Sequence, residues 1–387
     1  MALPRALALV TAVVLAIALA DLPGTAAARV LHVGPGQRFA RPCQAIARAH
    51  AGDTIQIDAR GNRSYRGDVC AWSTNRLTIA GVDGRAHIDA AGANSEGKAI
   101  WVIAGDDTTI ENVELSGARV PDENGAGIRL QGAGLTVTHC RFDHNQEGIL
   151  AGDNPASNIV IDSSVFADNG AGDGFSHNIY INHVRSFTLR DSYSTDARVG
   201  HLVKSRAARN YILYDRLTGE RGTDSYELDL PNGGLSFVIG TVLQQGPSTQ
   251  NPNMLAYGEE GSLNPDSHLY AVNDTFVNDL GRGAAVLIGA GVRAPVLAQN
   301  DISTGSPVFI AQRGADLRHD CVAADPRFVD AAVYDYRLRE SSPCRRAAPR
   351  PASAQGFSLV PRFQYAGVAG QVRRSDGGVI AGAFGRR

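Results

Sequence analysis

The 387-residue chain is short of three things: net charge, aromatic rings and long apolar runs. A formal charge of −2 gives no overall attraction to nucleic acid or anionic membranes, so any pull on an acidic ligand has to be local. Aromatics are few and recognisable helices nearly absent, which leaves strands and turns to carry the fold. Only the N-terminus is continuously apolar, and nothing after it is long enough to span a bilayer. That first stretch, MALPRALALVTAVVLAIALADLPGTAAA, has one arginine, an apolar run from Ala6 to Ala20 and small residues up to Ala28. It reads as a secretory signal over residues 1–28, and the short apolar core argues against an uncleaved anchor. The mature chain is expected in the periplasm or outside the cell, and its Gly- and Ala-rich composition points to a bacterial source.

Five cysteines suit an oxidising compartment. Proximity suggests Cys43 with Cys70 and Cys321 with Cys344, leaving Cys140 a buried thiol, although spacing alone does not fix connectivity. No pair has zinc-site spacing, and no metal site is read.

What the chain does have is a repeat. Strand-like pieces begin at 77 (LTIAG), 108 (TTIENVELSG), 135 (LTVTHCRFDHN), 159 (IVIDSSVFADN), 187 (FTLRDSYSTD), 211 (YILYDRLTG), 237 (FVIGTVLQQG) and 270 (YAVNDTFVND), 24 to 33 residues apart. Each alternates apolar and polar residues, then turns at Asn, Asp or Gly. A period in the twenties with strands in every unit predicts a solenoid, because a rising coil joins parallel strands without helices. A β-sandwich seldom keeps one pattern through so many units.

The opening VLHVGPG, then PCQAIARAHAGDTIQID and LTIAGVDGRAHIDAAG, resembles the right-handed parallel β-helix, pectin-lyase-like proteins over nearly all of the mature chain. The resemblance implies an all-β fold: a β-helix solenoid over 29–320, an N-terminal capping helix from about Pro42 to His50, and a C-terminal cap or tail over 321–387 packed on the solenoid. Many exported members act on acidic polysaccharides. The Asn-Thr-Asp and Arg-Ile-Lys elements of the polygalacturonase branch and the arginine-rich motif of pectate lyases are missing.

Coil register predicts where chemistry gathers. Matching Phe187 and Leu189 with Tyr211 and Leu213 gives an offset of 24, which sets Tyr180 beside Lys204 and Asn182 beside Arg206. The next coil then adds Asp229. On this reading Leu228 points inward, and Glu227 and Asp229 point outward. The outward column Tyr180, Lys204, Asp229 is flanked by His177, His201, Arg206 and Glu227, with Arg129 further up the same face. Singly, each has an ordinary explanation: Lys204 with Asp229 is an exposed ion pair worth about 0–1 kcal/mol, and the histidines cap turns. Together, beside long loops, they form a candidate groove.

For β-elimination on a uronic acid, Arg206 or Arg129 would hold the carboxylate. Asn182, Glu227 and Asp229 complete the expected substrate-binding set. Lys204 would take the proton and Tyr180 return one, or the two would exchange roles; His201 and His177 are reserve bases. Protons exchanged on opposite faces would make a C5-epimerase instead. Hydrolysis would use Glu227 and Asp229, about 6.6 Å apart along a strand. A non-catalytic glycan-binding protein is the third class, but binding grooves usually offer several rings, and this face has few. No cofactor is required on this reading; Glu227 and Asp229 are the carboxylates available to a Ca2+ ion, without a set of about six to eight oxygen ligands. The expected partner is an acidic polysaccharide, not nucleic acid or membrane, and the capped solenoid is expected to be a monomer.

Overall fold

The computed structural model describes residues 27–60, 64–294, 296–312, 315–367 and 371–385. All but the last two residues of the expected signal lie outside these ranges. Each coil gives one strand to each of three parallel sheets. The first has twelve strands, from Val30–Val33 to Asp316–Arg318. The second has ten, from Ala86–Asp89 to Cys321–Val322, and the third ten, from Cys70–Trp72 to Val308–Ala311. The architecture is a right-handed parallel β-helix.

Period-2 alternation builds its core. Ile79, Ile110, Val137, Ile161, Leu189 and Ile212 occupy one register position of the first sheet and are fully buried. Under the second sheet Phe142 and Phe166 stack in parallel at 4.8 Å. Burial of each such side chain contributes about 1.5–3 kcal/mol, repeated from coil to coil. The bend between first and second sheets puts one residue per coil in the left-handed region, among them Asn112, His139, Asn273 and Asn300 at φ of 53 to 59°. Asparagine tolerates that conformation better than most residues.

The third sheet keeps the offset of 24 expected from the sequence, but the first does not. Phe187 pairs with Asn210 rather than Tyr211, so Asn210 and Ile212 face the core, while Tyr211 and Leu213 face outward. The cause lies outside the solenoid. Tyr211, Phe237 and Tyr270 stack on the outer face at 5.5 and 5.3 Å, and Phe357 of the tail covers Tyr211 and Phe237. Apolar residues on both faces erase the pattern that sets register.

The N-terminal end of the solenoid is closed, whereas at the other end Leu317 and Val322 of the last coil stay exposed at core register positions. The N-terminal helix, Pro42–Ile46, is shorter than expected and buries Ala45 and Ile46 over the first coil. It has no side-chain cap of its own; Asp68 of the next coil accepts from the Cys43 amide at 2.9 Å instead. Cys43–Cys70 and Cys321–Cys344 are disulfides. Cys140 is free and enclosed, and burial pushes its thiol up to about 12. Beyond the last solenoid strand, Cys321–Val322, the tail forms three two-stranded hairpins. It is tied down by the left-handed asparagines: Asn273 and Asn300 donate to the Ile380 and Gly378 carbonyls, both at 2.7 Å.

Candidate active site on the third sheet

Three short strands, Ile179–Ile181, Lys204–Ser205 and Leu228–Leu230, lie side by side in the third sheet. Tyr180 pairs with Lys204 and Lys204 with Asp229, so the three side chains stand on one face, about 4.8 Å per rung. Lys204 Nζ lies 3.1 Å from Asp229 Oδ2 and 3.5 Å from Glu260 Oε1. Arg206 donates from Nε to the Tyr180 hydroxyl oxygen at 3.1 Å and from Nη1 to Asn232 Oδ1 at 2.7 Å. Its Nη1 also meets Glu260 Oε2 at 2.7 Å. Both cations lie within 6 Å of the Tyr180 ring centre, a favourable placement over a π face.

The electrostatics follow burial first and partners second. Burial pushes Asp229 up to about 6, although the Lys204 ammonium pulls it back. Burial works against the charge of Arg206, but hydrogen bonds to Glu260 and Tyr180 outweigh it and hold the guanidinium above its ordinary value. The Arg206 contact holds Glu260 below the usual carboxylate range.

The histidines belong to a ladder. His177 and His201 occupy one corner position on successive coils and stack with centroids 4.5 Å apart. The His201 amide donates to His177 Nδ1 at 3.0 Å, and the Tyr226 amide to His201 Nδ1 at 3.2 Å. An Nδ1 that accepts leaves the ring proton on Nε2, and His201 Nε2 faces Asp229 Oδ2 at 3.5 Å. Burial, reinforced by neighbouring cations, holds both rings well below their ordinary value. Neither ring has a lone pair to spare, which corrects the expectation that His177 and His201 are reserve bases. Their place is to hold amides and, for His201, to donate toward Asp229.

Glu227 is also corrected. It is fully buried, level with Leu202 one coil back, where the chain bends into the sheet and two successive residues turn inward. There it lies beside the buried Asp224 carboxyl. Burial raises both carboxyls, Asp224 to about 7 and Glu227 well above its ordinary value. Glu227 and Asp229 therefore do not flank a common bond or share a Ca2+ ion. Among the described residues no three His, Cys, Asp or Glu side chains converge as metal ligands. Arg129 is on the same outward column, separated from Tyr180 by Leu150, about 10 Å away, and makes no ion pair among the described residues. Asn182 is half-buried and follows Ile181 as Arg206 follows Ser205.

Four participants were missed. Glu147 caps the ladder by accepting from the His177 amide at 3.0 Å. Tyr226 donates to Glu259 at 2.6 Å. Asn232, read as part of a tight turn, positions Arg206. Glu260 reaches Lys204 from 56 residues along the chain, and its neighbour Asn264 ties the loop to the Arg206 and Ala207 carbonyls. Only the acidic pair Glu259-Glu260 in a Gly-bounded loop could have drawn attention to it. Two large apolar side chains stand exposed on the flanking loops, Phe175 at 82% and Leu263 at 71%.

Comparison with known proteins agrees with the fold. A family described as the right-handed beta helix region matches residues 69–216. The crystal structure of pectate lyase Pel9A superposes with a TM-score of 0.62 at 14% sequence identity, covering 94% of this chain and 98% of that one. No curated protein matches the sequence.

Proposed function

We propose that the protein is a polysaccharide lyase that cleaves a uronic-acid-containing polymer by β-elimination on the third sheet. One observation carries the reading: a tyrosine and a lysine stand on adjacent rungs of one face, with an arginine on the tyrosine hydroxyl. The role exchange noted above fits the contacts better than lysine as base. The Lys204 ammonium lies between two carboxylates, which suits a proton donor. The Tyr180 oxygen already accepts from Arg206, a partner that stabilises negative charge there.

In the proposed step Arg206, beside the Tyr180 hydroxyl, neutralises the substrate carboxylate, making the C5 proton more acidic. Tyr180, as phenolate, takes that proton. The C5–H electron pair becomes the C4=C5 double bond, the C4–O4 bond breaks, and Lys204 gives its proton to O4. Placing these groups correctly supplies the catalysis, and no metal is obligatory.

The test is purified mature protein on alginate, polygalacturonate, glucuronan and glycosaminoglycans, with and without a chelator, following the ultraviolet absorbance of the unsaturated sugar. Absorbance that rises equally with chelator present is the expected result. Flat traces on every polymer would remove the lyase reading.

A further inference from the structure

The two proton-handling groups also constrain which uronate they can serve. Tyr180 and Lys204 are register partners on adjacent strands, and both side chains leave the sheet on the same side. Arg206 touches the Tyr180 oxygen, and its guanidinium meets the same Glu260 carboxylate that Lys204 reaches. That carboxylate is half-exposed, on the loop that folds over Asn232, and it marks where an acidic group sits against the two cations.

Other titratable side chains of the flanking loops are engaged with neighbours. Glu259 accepts from Tyr226, Asp173 is held by Ser176, and His183 is bound to Asp153 at 2.8 Å. A pyranose lying on this face meets its base and its acid from one side, because both side chains leave the sheet together. Elimination then requires the C5 hydrogen and the C4 oxygen on the same side of the ring. In gluco- and manno-configured uronates these two atoms are cis. In galacto- and gulo-configured uronates they are trans, and a one-sided pair would have to reach around the ring.

We infer that the substrate is a 4-linked uronan of gluco or manno configuration, cleaved by syn elimination, and not a galacturonan or guluronan. The inference rests on the lyase reading above for its chemistry, but it is scored separately. It runs against the substrate that the fold comparison would suggest, because the name of the pectate lyase resembled points to pectate, a galacturonan.

The experiment compares initial rates on mannuronan and glucuronan with those on polygalacturonate and polyguluronate, at matched uronate concentration. The same four series, as oligomers, are titrated calorimetrically into the Tyr180→Phe variant, whose binding does not depend on turnover. Cleavage of a cis polymer at least about 100-fold faster than either trans polymer is expected, a gap in keeping with a misplaced acid–base group. Comparable or faster cleavage of a trans polymer overturns the inference. With no cleavage of any polymer, the lyase reading fails. Tighter binding of the cis oligomers would still uphold the substrate class, and equal or absent binding would overturn that as well.

Discussion

Two buried ladders of polar side chains run along the solenoid at different corners, and they solve one problem in opposite directions. At a corner the sheet pairing lapses, and each backbone amide needs an acceptor from a neighbouring coil. Between the first and second sheets the amide reaches forward: Ser192 to Asp215, Thr241 to Asp274, Asp274 to Asp301, and Asp301 to Asp320, at 2.7 to 2.9 Å. Where the chain bends into the third sheet it reaches back: His177 to Glu147, His201 to His177, Tyr226 to His201, and Ala284 to Asn253, at 3.0 to 3.2 Å. The forward ladder is almost wholly enclosed and its acceptors end in the core. In the backward ladder an imidazole that accepts at Nδ1 has a second nitrogen left over, and at His201 that nitrogen faces the candidate site. The same structural task thus leaves one corner inert and the other chemically connected.

The largest expected contrast separates stability from activity. Tyr180→Phe should cost about 10²- to 10⁴-fold in elimination rate while leaving the thermal midpoint nearly unchanged. Asp274→Ala should do the reverse. It strips the acceptor from the Thr241 and Val272 amides, at about 1–3 kcal/mol for each buried donor left unpartnered. Activity per folded molecule should survive. Circular-dichroism melts and polymer absorbance on the same preparations check both, and a Tyr180→Phe protein that melts early yet keeps its rate would dissolve the contrast.

The period and the interior alternation were legible because each coil repeats the same local physics. Tyr180, Lys204 and Asp229 could be aligned because the described tail residues pack on the first and second sheets instead, so polar and apolar residues alternate cleanly on the third. Tyr211 could not be placed, since a hairpin about 145 residues later packs on its outward side and makes both faces apolar. Glu227 misled for a different reason: at the corner two consecutive residues turn inward, and strict alternation does not describe a bend. Glu260 and Asn232 were out of reach, because a contact between a loop and a strand 56 residues apart leaves no local trace.

A medium effect concerns pH, and the ladders should respond with opposite signs. Burial raises Asp215, Asp274 and Asp301 well above their ordinary value. The folded chain keeps protons that the unfolded chain loses above about pH 4, so stability falls as pH rises toward the folded-state values. His177 and His201 are held well below theirs. The unfolded chain takes up protons below about pH 6.5 that the folded chain refuses, so stability also falls as the solution is acidified. Melting midpoints between pH 4 and 9 should pass through a maximum. Asp301→Asn keeps one acceptor for the Asp274 amide and should flatten the alkaline limb. Should that variant leave the limb untouched, the forward ladder is not what titrates.

The smallest effect is the most informative, because it isolates the leftover nitrogen. Asn253 already performs the ladder task with an amide oxygen, accepting from Ala284 at 3.0 Å. His201→Asn should therefore retain the acceptor for the Tyr226 amide and change stability near neutral pH by no more than about 1 kcal/mol. What it removes is the Nε2 proton facing Asp229. Asp229, at about 6, partners Lys204, and losing a nearby donor should raise it further. The acid limb of the rate–pH profile should then move upward, with a loss of only a few-fold at its plateau, a change readable from initial rates between pH 5 and 8. A profile that coincides with the wild type would mean that the outward nitrogen takes no part in the site. The two ladders would then differ in composition alone, and the site's proton handling would have to be explained by Tyr180, Lys204 and Arg206 without support from beneath.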